Sequence, residues 1–260
     1  MDTSINAEAS NNFNLFASNP YPGRFILIGR DSVSGNLVQV YGLTGRSENS
    51  RNRVFSSDDD GRLFTEAADP AKVKDPSLII YNAMLETVCD GKKRCIVSNG
   101  DQTDSVIAYF NRGENNDGDT LVAALQGRQY EPDQPNFTPR ITGMCFPAFT
   151  KHITLSVLRK SVFNDSCDRC FYHYVNIPAG YGMLISTYSG DGNPLPSFRG
   201  EPMLMPLKGD PTDILETYWG ALNEANRVAL AVKIIDAKTG VSEIRIKNKL
   251  EKVSAPTATA

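Results

Sequence analysis

The sequence predicts an α+β protein, and three observations carry that prediction. Short apolar runs bounded by Gly, Asn, Asp and Pro mark strands near both ends of the chain. Between them the hydrophobic period lengthens from two to between three and four, the mark of amphipathic helices. Strands and helices come in blocks rather than in strict alternation, which excludes a doubly wound parallel sheet. Of the 260 residues, 40% are hydrophobic and 22% charged, so the chain carries enough apolar material for a packed core.

Residues 1–20, rich in Asn, Ser and Ala, read as a loose N-terminal tail. An apolar run over 24–30 and a second over 36–41, joined through Ser34-Gly35-Asn36, predict a hairpin. Strands are expected at 78–81 and 95–97. Asp101-Gln102-Thr103-Asp104 then opens a helix with Val106, Ile107 and Phe110 on one face. Asp119-Thr120 caps a second, carrying Leu121, Val122 and Leu125. Strands return at 141–146, 153–158, 172–175 and 183–187. The clearest helix has Asp210 as N-cap and Pro211 in the first turn, with Ile214, Leu215, Tyr218, Trp219 and Leu222 in one stripe. A closing hairpin over 227–235 and 241–246 completes a single domain spanning 21–250, and 251–260 reads as a C-terminal tail.

Composition excludes several partners. A net charge of −3 gives no general attraction for nucleic acid or an anionic membrane. Apolar runs such as Phe25-Ile26-Leu27-Ile28 fall far short of the ~20 residues that a spanning helix needs. The acidic start, without an apolar segment, is no export signal, and the five cysteines are expected to be reduced thiols in a cytoplasm. Cys167-Asp168-Arg169-Cys170 with His173 has the spacing of half a zinc knuckle, but no second pair matches it, so no metal site is expected. No G-x-S-x-G elbow, Walker loop or H-E-x-x-H motif is present.

Three polar stretches remain. Residues 45–53 hold Arg46, Arg51 and Arg53 without one aliphatic side chain, which argues against a core segment and leaves a solvated loop or an anion site. Ser98-Asn99-Gly100-Asp101-Gln102-Thr103-Asp104 joins a strand to a helix, where unpaired N–H groups suit either an anion or a simple cap. Tyr130-Glu131-Pro132-Asp133, followed by Thr138-Pro139-Arg140-Ile141, offers an acid and a base if burial tunes them, or else a surface loop. The long stretch 189–202, with Gly190, Gly192, Pro194, Pro196 and Gly200, has the length of a lid or of an insertion.

In order along the chain, Tyr21-Pro22-Gly23-Arg24, Arg46-Ser47 with Asn52-Arg53, Tyr81-Asn82, Val97-Ser98-Asn99-Gly100 with Thr103-Asp104, Tyr130-Glu131 with Asp133, and Thr138-Pro139-Arg140-Ile141 resemble the archaeal-type IMP cyclohydrolase family. The resemblance is dense between Tyr21 and Ile141. It implies a four-layer αββα sandwich like that of the N-terminal nucleophile hydrolases, without the autocatalytic nucleophile. It implies closure of the second purine ring, from 5-formamidoimidazole-4-carboxamide ribonucleotide to IMP with loss of water, by a cytoplasmic homo-oligomer that needs no cofactor. It places Arg53, Tyr81 and Glu131 at the reacting centre, for charge stabilisation, proton or hydrogen-bond donation and acid/base work respectively. Arg24, Arg46, Ser47, Asn52, Asn82, Ser98, Asn99, Gly100, Thr103, Asp104 and Arg140 are then expected to hold base, ribose and phosphate. The archaeal proteins often have His in the Ser-Asn-Gly stretch, where this chain has Asp101-Gln102. A nucleotide-binding module without turnover, or an amide hydrolase of the same fold, are the alternative readings.

Overall fold

The computed structural model describes residues 3–73, 76, 79–113, 120–147 and 152–253. Its strands form two antiparallel sheets. The six-stranded sheet has the order β11 (Met203–Pro206), β10 (Tyr181–Ser186), β1 (Arg24–Arg30), β2 (Leu37–Thr44), β12 (Arg227–Ile235) and β13 (Ser242–Asn248). The seven-stranded sheet runs β3 (Arg53–Ser57), β4 (Leu63–Ala67), β5 (Asn82–Cys89), β6 (Lys92–Ser98), β7 (Arg140–Cys145), β8 (His152–Lys160) and β9 (Cys167–Val175). The helices are α1 (Thr3–Ser18), α2 (Glu48–Arg51), α3 (Gln102–Asn111), α4 (Thr120–Ala124) and α5 (Pro211–Ala221).

Alternation along the strands settles the layering. On β1 and β2, Ile26, Ile28, Tyr41 and Leu43 point inward and pack with Val97, Ile141 and Leu155 of the second sheet. The intervening Phe25, Leu27, Val38 and Val40 face outward against Phe16 of α1 and Ile214, Tyr218 and Trp219 of α5. On the far side, Ile96, Met144 and Leu158 lie under Val106 and Phe110 of α3 and Leu121 of α4. The result is a four-layer αββα sandwich. Covered on both faces, β2 is buried throughout, including Gln39 and Thr44.

The turns are locally specified. Asp31 accepts from the backbone N–H groups of Val33, Ser34 and Asn36 at 2.6–2.8 Å, closing the first hairpin, and Gly35 takes the left-handed φ of 69° that this turn requires. Helix α5 starts with the expected Asp210 cap, reciprocated by Asp213, and with Pro211 in its first turn.

Several expectations are corrected. Residues 3–18 form a helix rather than a loose tail, with Phe13 and Phe16 packed edge-on against Tyr218 and Phe25 at 5.6 and 4.9 Å. Its Asn and Ser content hid an apolar face made of only Ile5, Ala9, Phe13 and Phe16. No strand covers 79–81, because Thr65 takes that backbone for itself: its Oγ1 accepts from Tyr81 N at 3.0 Å and donates to Ile79 O at 2.6 Å, and strand β5 begins one residue later. Leu78, Asp119 and residues 254–260 lie outside the described residues. Just before the latter, Val253 N donates to Ala68 O at 2.8 Å, so the start of the expected C-terminal tail is fastened to the domain. Strands β3, β4 and β11 went unpredicted, being short. No helix among the described residues is long and apolar enough to cross a membrane.

Candidate active site

Strand registers bring one set of strand ends together. Arg24 opens β1 opposite Leu43 near the end of β2, and Ser186 ends β10 opposite Phe25. In the other sheet, β3 and β5 begin and β6 ends at the same side, where Arg53, Asn82 and Ser98 lie. Loops at one end of the sandwich therefore converge from both sheets, as binding sites commonly require.

Five predicted residues meet there. Arg24 Nη2 donates to Glu131 Oε1 at 2.6 Å, with both side chains almost wholly buried. Asn99 Nδ2 approaches the same carboxylate oxygen at 3.5 Å and donates to Pro139 O at 2.9 Å, tying the Glu131 loop to the end of β6. Tyr81 and Tyr41 place their hydroxyl oxygens 2.7 Å apart. Arg53 is 2% exposed, and its Nε donates to Ser50 O at 2.9 Å. Among the described residues no carboxylate pairs with Arg53. Burial of Asn52 and Arg53 corrects the expectation that 45–53 is no part of the core.

Burial dominates the electrostatics. It lifts the Glu131 carboxyl above its usual range, against the opposing charges of Arg24 and Arg140. It lowers the Arg53 guanidinium from its ordinary value; Tyr81 opposes this and the cation on Arg24 adds to it. Burial also pushes the Tyr41 phenol well up, helped by neighbouring Tyr81.

The remaining predicted residues divide among other tasks. Arg140 Nη1 donates to Asp101 Oδ1 at 2.9 Å and to Gln102 Oε1 at 2.8 Å, and Gln102 Nε2 donates to Asn99 Oδ1 at 2.9 Å. Gln102 thus occupies the buried centre of the strand-to-helix turn and orients Asn99. The Ser98 and Thr103 hydroxyls lie within hydrogen-bond reach of each other and of Gly100 O, so one donates to that carbonyl and the other donates to its partner. A Cβ on Gly100 would lie 2.6 Å from Arg140 Nη1, which explains the glycine as a close-approach position. Asn82 Nδ2 donates to Asp104 Oδ1 at 2.8 Å. Ser47 caps α2. Asn52 clamps Asp69 through two backbone bonds of 2.7 and 2.8 Å. Arg46 lies 5.1 Å over the Tyr21 ring and is engaged by Asp191 and by Gly192 O, both from the 189–202 stretch.

Sequence reasoning missed Tyr41, Tyr188 and the role of Thr138. Tyr41 sits in an apolar strand and reads as core. Thr138 hydrogen-bonds both Asp133 and Tyr188, while its carbonyl accepts from Glu131 N at 2.8 Å, which fixes the Glu131 loop against the end of β10. Prolines 132, 135 and 139 were the signal that this loop is rigid, but nothing in the sequence named its anchor. Among the described residues no group of three or more His, Cys, Asp or Glu is arranged to hold a metal ion. Cys167 and Cys170, three apart on β9, pack into different clusters on opposite faces of the sheet.

Fold and cluster define an αββα protein whose site joins loops of both sheets around a buried Arg–Tyr–Glu set. The family model for IMP cyclohydrolase-like proteins matches residues 21–239, and the chain belongs to that family. Among curated proteins no match was found. Among solved structures, the Gly-1 mutant of Anbu from Hyphomicrobium sp. strain MC1 is similar at 11% identity, over 88% of this chain and 89% of that one, with a TM-score of 0.35.

Proposed function

We propose that this chain closes the second ring of the purine, converting 5-formamidoimidazole-4-carboxamide ribonucleotide to IMP. The observation that carries the reading is Arg53, a buried guanidinium to which the described residues bring no carboxylate. An uncompensated buried cation is costly to the protein alone, and is explained by a ligand that supplies the electron density.

The chemistry follows from the groups at hand. The carboxamide nitrogen attacks the formyl carbon of the same molecule, so holding the two in near-attack geometry supplies much of the acceleration. A C–N bond forms, negative charge grows on the formyl oxygen, and Tyr81 and Arg53 face that charge. The formyl C–O bond then breaks, and the oxygen leaves as water with two protons from the two nitrogens. Glu131, with its carboxyl shifted upward by burial, is the group that carries a proton to the departing oxygen. Arg24 holds Glu131 in place. Arg46, Arg140, Asn82 and Asn99 are the residues we assign to ribose, base and phosphate.

The test is direct. Purified protein mixed with the formamido ribonucleotide should form IMP, followed by absorbance. Tyr81→Phe and Glu131→Gln should each slow this by roughly 10²–10⁴-fold. Folded wild-type protein that binds IMP yet never forms it would instead establish a binding module.

A further inference from the structure

Tyr41 is a buried polar group in contact with the proposed reacting centre for which that mechanism has no use. It is 0% exposed, stands on β2 between Ile26 and Ala231, and packs its ring 5.5 Å from Phe55. Among the described residues the only hydrogen-bond partner of its hydroxyl is Tyr81, at 2.7 Å. Two phenols at that distance share one hydrogen, and two arrangements are available. If Tyr81 donates, the hydrogen of Tyr41 has no acceptor among the described residues, because the charged groups near it, Arg24 and Arg53, are donors themselves. If Tyr41 donates, the unshared hydrogen belongs to Tyr81, which is 7% exposed and lies beside Arg24 and Arg53 at the mouth of the site. An unmade donor deep in a core is the more costly of the two, because neither water nor ligand reaches it.

We propose that Tyr41 is a positioning residue that fixes the polarity of the pair: Tyr41 donates to Tyr81, and Tyr81 thereby presents its own hydrogen to a ligand oxygen. This rests on the ring-closing reading only for the identity of that oxygen, the formyl oxygen of the substrate. As charge builds there, the Tyr81 oxygen gains electron density, and the Tyr41 hydrogen is already directed at it. Tyr41 itself touches no reacting atom.

A role exercised through Tyr81 makes a requirement that general packing does not. Tyr41→Phe keeps the ring and deletes the hydroxyl. It should lower kcat about tenfold with KM changed less than twofold, since the lost interaction grows only in the transition state. In a Tyr81→Phe background the same change should have no further effect, so the double variant turns over as fast as Tyr81→Phe alone. Multiplying effects, or a Tyr41→Phe enzyme with wild-type kcat, would overturn the proposal. Neutron diffraction from deuterated wild-type crystals reads the polarity without any variant or turnover. Deuterium bonded to Tyr41 and lying between the two oxygens supports it; deuterium bonded to Tyr81 there overturns it. Absence of IMP formation by the wild type would remove the ring-closing reading and leave the polarity to be decided by the neutron map.

Discussion

Charge is buried at both ends of the sandwich, and the two ends treat it differently. At the end away from the site, Lys233 is 0% exposed, yet its Nζ meets Glu86 Oε1 at 2.5 Å and Gly61 O at 2.7 Å. Glu86 is further met by Lys93 and by Ser242 Oγ. Burial opposes its ionisation, but Lys233 and these hydrogen bonds override burial and hold the carboxyl below its usual range. At the site end, Glu131 is shifted the other way and Arg53 has no carboxylate among the described residues. A charge that ties two sheets together is provided with its partners by the chain. On the proposed function Arg53 is kept for a ligand, and among the described residues it is left short of a carboxylate.

Stability measurements can break that distinction, and the largest effect is expected at the far end. Glu86→Gln leaves Lys233 buried without its counterion and should lower the unfolding free energy by roughly 3–5 kcal/mol. Arg53→Met removes a cation that no carboxylate among the described residues accompanies, and should leave stability unchanged or higher while abolishing turnover. Urea unfolding of the two variants decides the matter; equal losses would mean that Arg53 is structural.

Ligand stabilisation sharpens the same contrast. IMP at about 100 times its Kd should raise the unfolding free energy of the wild type by about 2.7 kcal/mol through mass action. Glu86→Gln should keep that increment on its lower baseline, and Arg53→Met should lose it. Thermal melting with and without IMP checks both, and an unchanged increment in Arg53→Met would put the ligand elsewhere.

The difference between the ends also explains what was legible in the sequence. Helix α5 announced itself through Asp210, Pro211 and an apolar stripe because capping and periodicity are local properties. Helix α1 did not, since its stripe is thin and its worth comes from Tyr218 and Phe25, more than 200 residues and about ten residues away in sequence respectively. Arg24, Arg53, Tyr81 and Glu131 were singled out through a family resemblance, whose short motifs lie in order along the chain. Tyr41 was not, as an aromatic on a buried strand looks the same whether or not its hydroxyl is used. The Lys233–Glu86 pair escaped for a related reason: its partners lie on β12 and β5, and only the stacking of the sheets joins them.

Titration should show the two carboxyls moving in opposite directions. Carbon-detected NMR is expected to place Glu131 above the ordinary glutamate value and Glu86 below it. The sign for stability follows. The part due to Glu86 is present above its unfolded-state value and is lost as pH falls through its depressed folded value. The part due to Glu131 is present below its unfolded-state value and is lost as pH rises through its elevated one. Each tenfold change in acidity corresponds to about 1.4 kcal/mol. Turnover that needs protonated Glu131 should therefore decline on the alkaline side of its elevated value, and an alkaline limb insensitive to Glu131→Gln would assign that limb to another group.

Arg46 tests the smallest effect. Unlike Arg53 it is partly exposed, and unlike Lys233 its partner, Asp191, belongs to a surface stretch. A pair open to solvent contributes little, so Asp191→Asn should change the unfolding free energy by less than ~1 kcal/mol. Its consequence for ligand is larger in kind. If Arg46 holds the phosphate, Asp191 is an anion already seated on the same guanidinium, and relieving it should tighten IMP binding several-fold, most clearly at low ionic strength, where screening is weakest. If Arg46 serves only to pin the 189–202 stretch over Tyr21, the Kd for IMP should be the same in both proteins, and Arg46 would then belong with Lys233 among the charges the fold keeps for itself.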